Sequence, residues 1–275
     1  MVMSVEISAF DKLKEDPELH DYLVRRVGKS HLRQRIGIEK EHAADRFGQG
    51  RTFIHIENWH TAAAVIRFVL KITNLSERGR ANILNFQVRH NHVKLANLSS
   101  QFNGLTVLHL SDLHLDSVPG FPDCLAQKIR DLDYDFCVMT GDYLFRTHGA
   151  HDEAMEGLER LCREIDGEIY AVLGNHDSIL MTKPMETLGI RLLLNENTAI
   201  EREGDSIYLA GIDDPHYFSA DNLEQAYDGI PDDSVSVLLA HSPEIYRHAA
   251  YVGFDFMLCG HTHGGQICLP GGLAL

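Results

Sequence analysis

Two histidines stand one residue apart at His261 and His263, between glycines and directly after the apolar run 254–258. A single histidine at the end of a strand is common. Two at His-x-His spacing, where glycine lets the backbone turn sharply, are typical of a metal chelate. The segment therefore raises the question whether other apolar runs of the chain also end in metal-ligating side chains.

Five predicted strands are followed at once by Asp, Asn or His. The strands read LTVLHL, DFCVM, EIYAVL, VSVLLA and FDFML, and the polar residues after them are Asp112, His114, Asp142, Asn175, His176, Asp177, His241, His261 and His263. The carboxyl ends of parallel strands meet at one edge of a sheet, where open α/β sheets build their sites. One such ending would be an ordinary turn, since Asp and Asn favour turns, but five together predict a functional cluster.

The donor types in this cluster indicate its chemistry. Asp, Asn and His offer oxygen and imidazole ligands, and no cysteine thiolate stands among them, which favours Mn, Fe or Zn over a structural Cys-rich zinc site. Without His176 and Asp177 the cluster contains seven donors. Seven donors exceed the needs of one tetrahedral ion and suit two divalent ions that share a bridging carboxylate. Two ions about 3.5–4 Å apart can hold both the attacking and the departing oxygen of a phosphoryl displacement.

Strands and helices alternate from Leu105 onward. Helices are predicted near 122–132, in DEAMEGLERLCREI, near Pro184 and over 243–249, each after a predicted strand. This alternation predicts an α/β fold with a largely parallel core and helices on both faces. The irregular pattern over 191–210 indicates a mixed sheet or a second sheet.

The motifs D-x-H, G-D, G-N-H-D, a lone His and G-H-x-H, in this order, resemble the calcineurin-like metallophosphoesterase family over about residues 95–266. The resemblance implies a sandwich of two mixed sheets flanked by helices. It implies a first metal ion held by Asp112, His114, Asp142 and His263, and a second held by Asp142 as bridge, Asn175, His241 and His261. It makes His176 the catalytic histidine that binds no metal, with Asp177 orienting its ring, while a metal-bound hydroxide attacks phosphorus.

Three shorter stretches, SDLHLD, GIDDP and GHTHGGQICLP, resemble a bacterial branch with membrane-associated phosphoesterases and UDP-2,3-diacylglucosamine pyrophosphatases. We therefore expect a phosphodiester or pyrophosphate substrate, such as the nucleotide-diphospho-lipid UDP-2,3-diacylglucosamine. The chain departs from the branch at Asp116, where many members have Gly. It ends at LPGGLAL where relatives continue with further strands, so we expect C-terminal strands of the domain to be missing.

Two alternatives stay open beside a dinuclear phosphoesterase. A non-catalytic metal-binding scaffold of the same fold would keep the ligands but show no turnover at full metal occupancy. An amidohydrolase-type metal enzyme also uses His-x-His, but that motif is expected early in the chain. Here the Asp-x-His motif comes first and His-x-His last, which disfavours this alternative.

The net charge of -15 is unevenly spread along the chain. Residues 1–80 carry 14 Lys and Arg against 11 Asp and Glu, whereas residues 81–275 carry 11 against 29. This asymmetry predicts a helical, basic N-terminal region over 1–80 and a metallophosphoesterase domain over 81–275. The acidic domain argues against nucleic acid as a partner. Five cysteines without CxxC spacing argue against a disulfide scaffold.

Two N-terminal segments, 24–35 and 57–72, could contact an anionic membrane. The first contains Arg25, Arg26, Lys29, Arg33 and Arg35, and the second contains the apolar run AAAVIRFVLKI, which is too short to span a bilayer. Solvated helical faces and peripheral membrane contact are both open interpretations. The polar start MVMSVEISAFDKLKEDPE has no signal-peptide pattern, so we expect a cytoplasmic location, peripheral to the inner face of the membrane if the contact exists. The oligomeric state is not determined by these features.

Overall fold

The computed structural model of the chain describes residues 9–46, 72, 76–147, 149–263, 268–269 and 273–274. Two four-stranded sheets lie at its centre. The first sheet consists of β1 (Val107–Leu110), β2 (Phe136–Met139), β3 (Ile169–Ala171) and β4 (Ile190–Leu192), in that order. All of its pairings are parallel. Parallel neighbours need a crossover connection, so helices lie between consecutive strands of this sheet.

The second sheet is mixed. Its strands are β5 (Glu196–Arg202), β6 (Asp205–Gly211), β7 (Val235–Leu239) and β8 (Phe256–Leu258), in that order. β5 and β6 form an antiparallel hairpin, in which Glu203 and Gly204 both have positive φ, while the other pairings are parallel. Two central residues with positive φ give a turn whose twist matches the flanking strands. Two short antiparallel strands follow, β9 (Cys268–Leu269) and β10 (Leu273–Ala274).

Helices cover the outer faces of both sheets. The described helices are α1 (Ala9–Glu15), α2 (Pro17–Val27), α3 (Lys29–Arg46), α4 (Ser76–Leu84), α5 (Phe121–Ile129), α6 (Asp152–Cys162), α7 (Thr182–Thr187), α8 (Leu223–Tyr227) and α9 (Tyr246–Val252). Among them, none has the length and apolar character needed to cross a membrane.

The two sheets pack face to face. Val138 and Tyr170 of the first sheet share a buried cluster with Leu209 and Leu239 of the second. Their strand neighbours, such as Cys137, point the other way and join the cluster under the helices. This alternation follows from the two-residue period of a strand. The predicted architecture of two sheets flanked by helices is therefore confirmed. The expectation that both sheets are mixed is wrong for the first sheet, whose described pairings are all parallel.

The three N-terminal helices pack against the first sheet and its helices. Leu13, Leu23, Leu32 and Ile36 are buried in the same cluster as the outer face of that sheet. Asp16 is the N-cap residue of α2, and its side chain accepts a hydrogen bond from the Leu19 N–H at 2.9 Å. The division of the chain at residue 80 stays a prediction, and residues 57–71 lie outside the described part of the chain.

The predicted exposure of the basic segment 24–35 is wrong for two of its five cations. Arg35 is fully buried. Arg26 is half-buried, and its guanidinium pairs with Glu186 at 2.6 Å and also contacts Glu196. These two side chains lie on the side of the helices that packs on the domain, so their charges are neutralised inside it. The remaining three are exposed: Arg25, Lys29 and Arg33.

Candidate metal centre

All nine predicted site residues lie after the carboxyl ends of strands, three strands from one sheet and two from the other. Asp112 and His114 follow β1, Asp142 follows β2, and the segment 175–177 follows β3. His241 follows β7, and the His-x-His pair follows β8. Contacts between these loops show that the sandwich brings the five strand ends together at one edge.

Five of these residues have a left-handed backbone. The φ angles are 53° at Asp112, 41° at His114, 59° at Asp142, 69° at His261 and 47° at His263. Such angles are uncommon outside glycine, although Asp and His tolerate them better than most residues. Strained backbone of this kind clusters at functional sites, where it aims side chains that a regular strand end would not.

The loops also approach one another closely at Gly141. Its φ is 91°, and a Cβ there would lie 2.5 Å from the backbone nitrogen of Gly174. Only glycine fits such a contact, because real Cβ atoms do not come this near to backbone. The glycines of the G-D and G-N-H motifs therefore let the loops after β2 and β3 meet.

Asp112, His114 and His263 form a first group of facing ligand atoms, all within 4.8 Å of one another. His263 Nε2 lies 3.4 Å from Asp112 Oδ1 and 3.4 Å from His114 Nε2. His114 Nδ1 donates to the Leu144 carbonyl at 2.5 Å. This hydrogen bond fixes the tautomer and leaves a lone pair on His114 Nε2, directed at the group.

Asp142, His241 and His261 form a second group within the same limit. His241 Nε2 lies 3.2 Å from Asp142 Oδ2, while His241 Nδ1 donates to the Thr140 carbonyl at 2.7 Å. His261 Nδ1 lies 2.9 Å from the side-chain oxygen of Asn175. Among the atoms of the described residues, the buried Nε2 of His241 has no hydrogen-bond partner of suitable geometry. An unsatisfied, buried imidazole nitrogen beside a carboxylate fits a divalent cation.

Asp142 lies at the centre of the arrangement and is 1% exposed. Burial opposes its ionisation, but the imidazoles of His241, His176 and His114 outweigh burial and lower the pKa of Asp142 to about 2. Burial likewise opposes protonation of His241, but Asp142 outweighs it and raises the pKa of His241 to about 9. A divalent cation bound here would compensate the Asp142 charge in place of a proton on His241.

His176 faces both groups. Its ring is 25% exposed, and its ligand atom lies within 4.8 Å of those of His114 and Asp142. Nδ1 contacts the carbonyl oxygen of Phe145 at 2.8 Å, and the backbone N–H donates to Asp142 Oδ1 at 3.0 Å. With Nδ1 as the donor to this carbonyl, Nε2 is the nitrogen that faces the centre.

The predicted role of Asp177 as the residue that orients the His176 ring is wrong, because the ring nitrogen Nδ1 of His176 is hydrogen-bonded to the Phe145 carbonyl instead. The Asp177 carboxylate accepts four backbone N–H groups at 2.8 to 3.2 Å, those of Asp142, Tyr143, Leu144 and Gly174. Burial and the Asp142 charge raise the pKa of Asp177 to about 6, while these N–H donors oppose that rise. Asp177 therefore braces the loop that carries Asp142.

Several contacts of the centre have no clear signal in the sequence. The carbonyls of Thr140, Leu144 and Phe145 fix three histidine tautomers, and a carbonyl is present at every residue. Asp116, the departure from the bacterial branch, accepts the Phe145 N–H at 2.7 Å and so holds the carbonyl that His176 contacts. The ring of His216 packs 4.9 Å from that of His261.

Comparison with known proteins identifies the family. Residues 105–265 match the family model described as calcineurin-like phosphoesterase. The chain belongs to the calcineurin-like phosphoesterase family. Members of this family use divalent metal ions, in agreement with the two groups of ligand atoms.

Relatives from bacteria and animals share this part of the chain. An uncharacterized metallophosphoesterase of Bacillus subtilis, YkoQ, is 33% identical over 60% of this chain and 63% of its own length. A transmembrane protein with metallophosphoesterase domain from Bos taurus is 31% identical over 64% of this chain and 44% of its own length. The UDP-2,3-diacylglucosamine pyrophosphatase LpxG of Chlamydia trachomatis is 25% identical over 63% of this chain and 69% of its own length. The chain thus spans less than two thirds of the first two relatives.

Proposed function

We propose that this family member is a dinuclear metal-dependent phosphoesterase that hydrolyses a phosphodiester or pyrophosphate bond. The observation that carries the proposal is the pair of separate ligand groups, one built on Asp112 and one on Asp142, that face each other at the edge of the sandwich. These two groups have no shared member and suit two ions, and a third group, His114, Asp142 and His176, shares one residue with each of them. Two neighbouring ions are a common device for phosphoryl displacement.

The proposed ligand sets follow the contacts between these groups. The first ion would be held by Asp112, His114, Asp142 and His263, and the second by Asp142, Asn175, His241 and His261. Asp142 would bridge, because its carboxylate lies 3.2 Å from His241 Nε2 and its ligand atom also lies within 4.8 Å of those of His114 and His176. Oxygen and imidazole donors favour Mn, Fe or Zn. When bound, such ions polarise phosphoryl oxygens and lower the pKa of a coordinated water.

His176 is the proposed catalytic residue of this chain. Its Nε2 faces the centre and is partly accessible, while Nδ1 is occupied by the Phe145 carbonyl. In hydrolysis a water oxygen bonds to phosphorus and releases a proton to solvent, while the bond from phosphorus to the leaving oxygen breaks. The Nε2 proton of a protonated His176 would pass to that leaving oxygen, which matters most when the oxygen is strongly basic.

The substrate class is proposed from two observations. Phe145 is 55% exposed, and its ring packs edge-on against His114 at the centre, so an apolar or aromatic part of a substrate would find a surface there. The relative LpxG acts, by its name, on UDP-2,3-diacylglucosamine, whose pyrophosphate joins a nucleotide to an acylated sugar. A nucleotide-diphospho-lipid is therefore the first physiological class to test.

The direct test is turnover of the purified chain with Mn²⁺ on aryl phosphomonoesters, aryl phosphodiesters and UDP-2,3-diacylglucosamine. We expect hydrolysis of a diester or a pyrophosphate, with two ions per chain by metal analysis. Asp142→Asn should bind well under two ions and lose turnover. Asp233→Asn, an exposed change at the amino end of β7, is the matched control. Two tightly bound ions and normal turnover in Asp142→Asn would exclude the bridge, and full metal occupancy without any turnover would favour the non-catalytic scaffold.

His176→Asn separates catalysis from metal binding. We expect both ions to stay and kcat to fall by about 10²–10⁴-fold on a substrate with a poor leaving group. An activated aryl diester should lose much less, because its leaving oxygen hardly needs a proton. Loss of an ion in this variant would make His176 a ligand and contradict its proposed role.

Peripheral contact with an anionic membrane is also proposed, in a narrower form. Arg25, Lys29 and Arg33 are the exposed cations of the segment 24–35, and each Lys or Arg near an anionic surface contributes about 1 kcal/mol. Sedimentation with anionic vesicles at low salt should show binding that weakens with salt. If binding does not change when these three residues are replaced, they form a solvated face and do not contact the membrane.

A further inference from the structure

α3 carries a stripe of three polar residues on the face that packs on the domain. His31, Arg35 and Glu39 stand four residues apart and so share one face of the helix. The Arg35 side chain is 0% exposed, Glu39 is 10% exposed and His31 is 13% exposed. Buried charges are costly unless they are paired and hydrogen-bonded, so the partners of this stripe bear on its function.

The first partner is the backbone directly after His176. Arg35 Nη2 donates to the carbonyl of Asp177 at 2.7 Å. Glu39 accepts from the Ser178 hydroxyl and from the Ile179 N–H, both at 2.9 Å. Three consecutive residues that follow His176 are therefore tied to α3.

The second partner is the loop that follows β6. Arg35 Nε lies 3.4 Å from Asp213 Oδ2, and His31 Nε2 lies 2.7 Å from the same oxygen. The guanidinium carbon of Arg35 lies 3.2 Å from the centroid of the Phe218 ring. The stripe thus contacts this loop near its start, at Asp213, and in its middle, at Phe218.

This second loop reaches the metal centre. Asp214 accepts the Phe218 N–H at 2.8 Å and lies 3.5 Å from the hydroxyl of Ser242, the residue after His241. His216 of the same loop packs its ring on that of His261. α3 therefore connects two loops that flank the centre from opposite sheets.

We propose that the stripe His31, Arg35 and Glu39 is a positioning element for His176. The inference rests on the proposed function, because it assigns the stripe a role through the catalytic histidine. His176 is held on the side of the centre by Asp142 and the Phe145 carbonyl. α3 holds the other side through the Asp177 carbonyl, and a displacement of about 1 Å at a catalytic group can cost roughly 10²-fold in rate.

Arg35→Met tests the proposal, because Met fills similar space but cannot donate to Asp177. We expect kcat to fall about tenfold or more on a diester with a poor leaving group, with KM nearly unchanged. The loss on an activated aryl diester should be about threefold or less, and both ions should remain. Arg33→Met, exposed on the same helix and assayed on soluble diesters without vesicles, is the control and should match the parent enzyme.

A double-mutant cycle decides whether Arg35 acts through His176. If it does, adding Arg35→Met to His176→Asn should lower kcat by less than about twofold, since residues that act as a unit are not additive. A full multiplicative loss would overturn the proposal while leaving the proposed phosphoesterase function intact. Absence of turnover in the parent enzyme would instead overturn the proposed function, so the two failures are distinguishable.

Hydrogen exchange gives a readout that does not depend on activity. Arg35→Met should speed exchange of the Ile179 amide, whereas Arg33→Met should not. If Arg35→Met alone does not fold because Asp213 loses the guanidinium charge and keeps only His31, Arg35→Met with Asp213→Asn removes both charges together. Failure of both variants to fold, or unchanged exchange at Ile179, would reduce the stripe to a structural role and overturn the proposal.

Discussion

Leu32→Ala in α3 measures whether the N-terminal helices belong to the catalytic unit. Leu32 is 1% exposed and packs in the same cluster as the outer face of the first sheet. Truncating a buried leucine costs about 2–5 kcal/mol, from the lost transfer energy and the cavity that remains. A domain has a total stability of about 5–15 kcal/mol, so this single change in an N-terminal helix should be conspicuous.

The assay is urea unfolding, followed by far-UV circular dichroism and by metal release. With a slope near 3 kcal/mol/M, roughly the upper end for small proteins, the midpoint should fall by roughly 0.7–1.7 M for both probes. Arg33→Ala, exposed one residue further along α3, should stay within about 0.5 kcal/mol of the parent. If the helices were an independent unit, metal release would keep its midpoint and a separate, earlier transition would appear; that result would refute the reasoning.

Two further predictions concern the loops of the centre. Burial opposes ionisation of Asp213, but Arg35 and His31 outweigh it and lower its pKa below the usual 3.8. The ionised form therefore stabilises the fold above about pH 4, and this contribution is lost as pH falls through the folded-state pKa. Asp213→Asn should cost about 3–5 kcal/mol at pH 7 in urea unfolding and progressively less below pH 4; an unchanged deficit at low pH would contradict the assigned pairing. A Cβ at Gly260 would overlap Ser111 Oγ and lie 2.5 Å from Asp112 Oδ2, so Gly260→Ala should displace both side chains and leave fewer than two ions per chain by metal analysis. The control is Gly37→Ala in α3, where an added Cβ has nothing within 4 Å. Two bound ions in Gly260→Ala would contradict the prediction and show that the loop moves to accommodate the methyl group.

The architecture and the membership of the centre could be predicted because both follow from local patterns. Apolar runs of four to six residues separated by amphipathic helices predict parallel strands, and a parallel strand must end at the same edge as its neighbours. Polar residues after neighbouring strands of one sheet, such as Asp142 and His176, therefore meet wherever the crossovers are regular, whereas the contact of Asp142 with His241 depends on the packing of the two sheets. The family match over residues 105–265 agrees with that pattern.

The roles of individual side chains were less predictable. The family resemblance implied that Asp177 orients the His176 ring, but the two side chains point to different sides of the turn. The Asp177 carboxylate turns to four backbone N–H groups instead. A backbone carbonyl such as that of Phe145 orients His176, and carbonyls have no sequence signature.

The sequence by itself determined which side chains gather at the strand ends, because strand direction and loop position are local properties of the chain. Only the tertiary structure decided what α3 does. Arg33 and Arg35 stand two residues apart and therefore on different sides of α3, and nothing local states which side is covered. Docking of α3 across two loops buries Arg35 against Asp213 and Asp177 while Arg33 stays in solvent. That difference arises because partners about 140 and 180 residues away along the chain supply the compensating carbonyl and carboxylate, and a buried guanidinium is stable only where such partners converge.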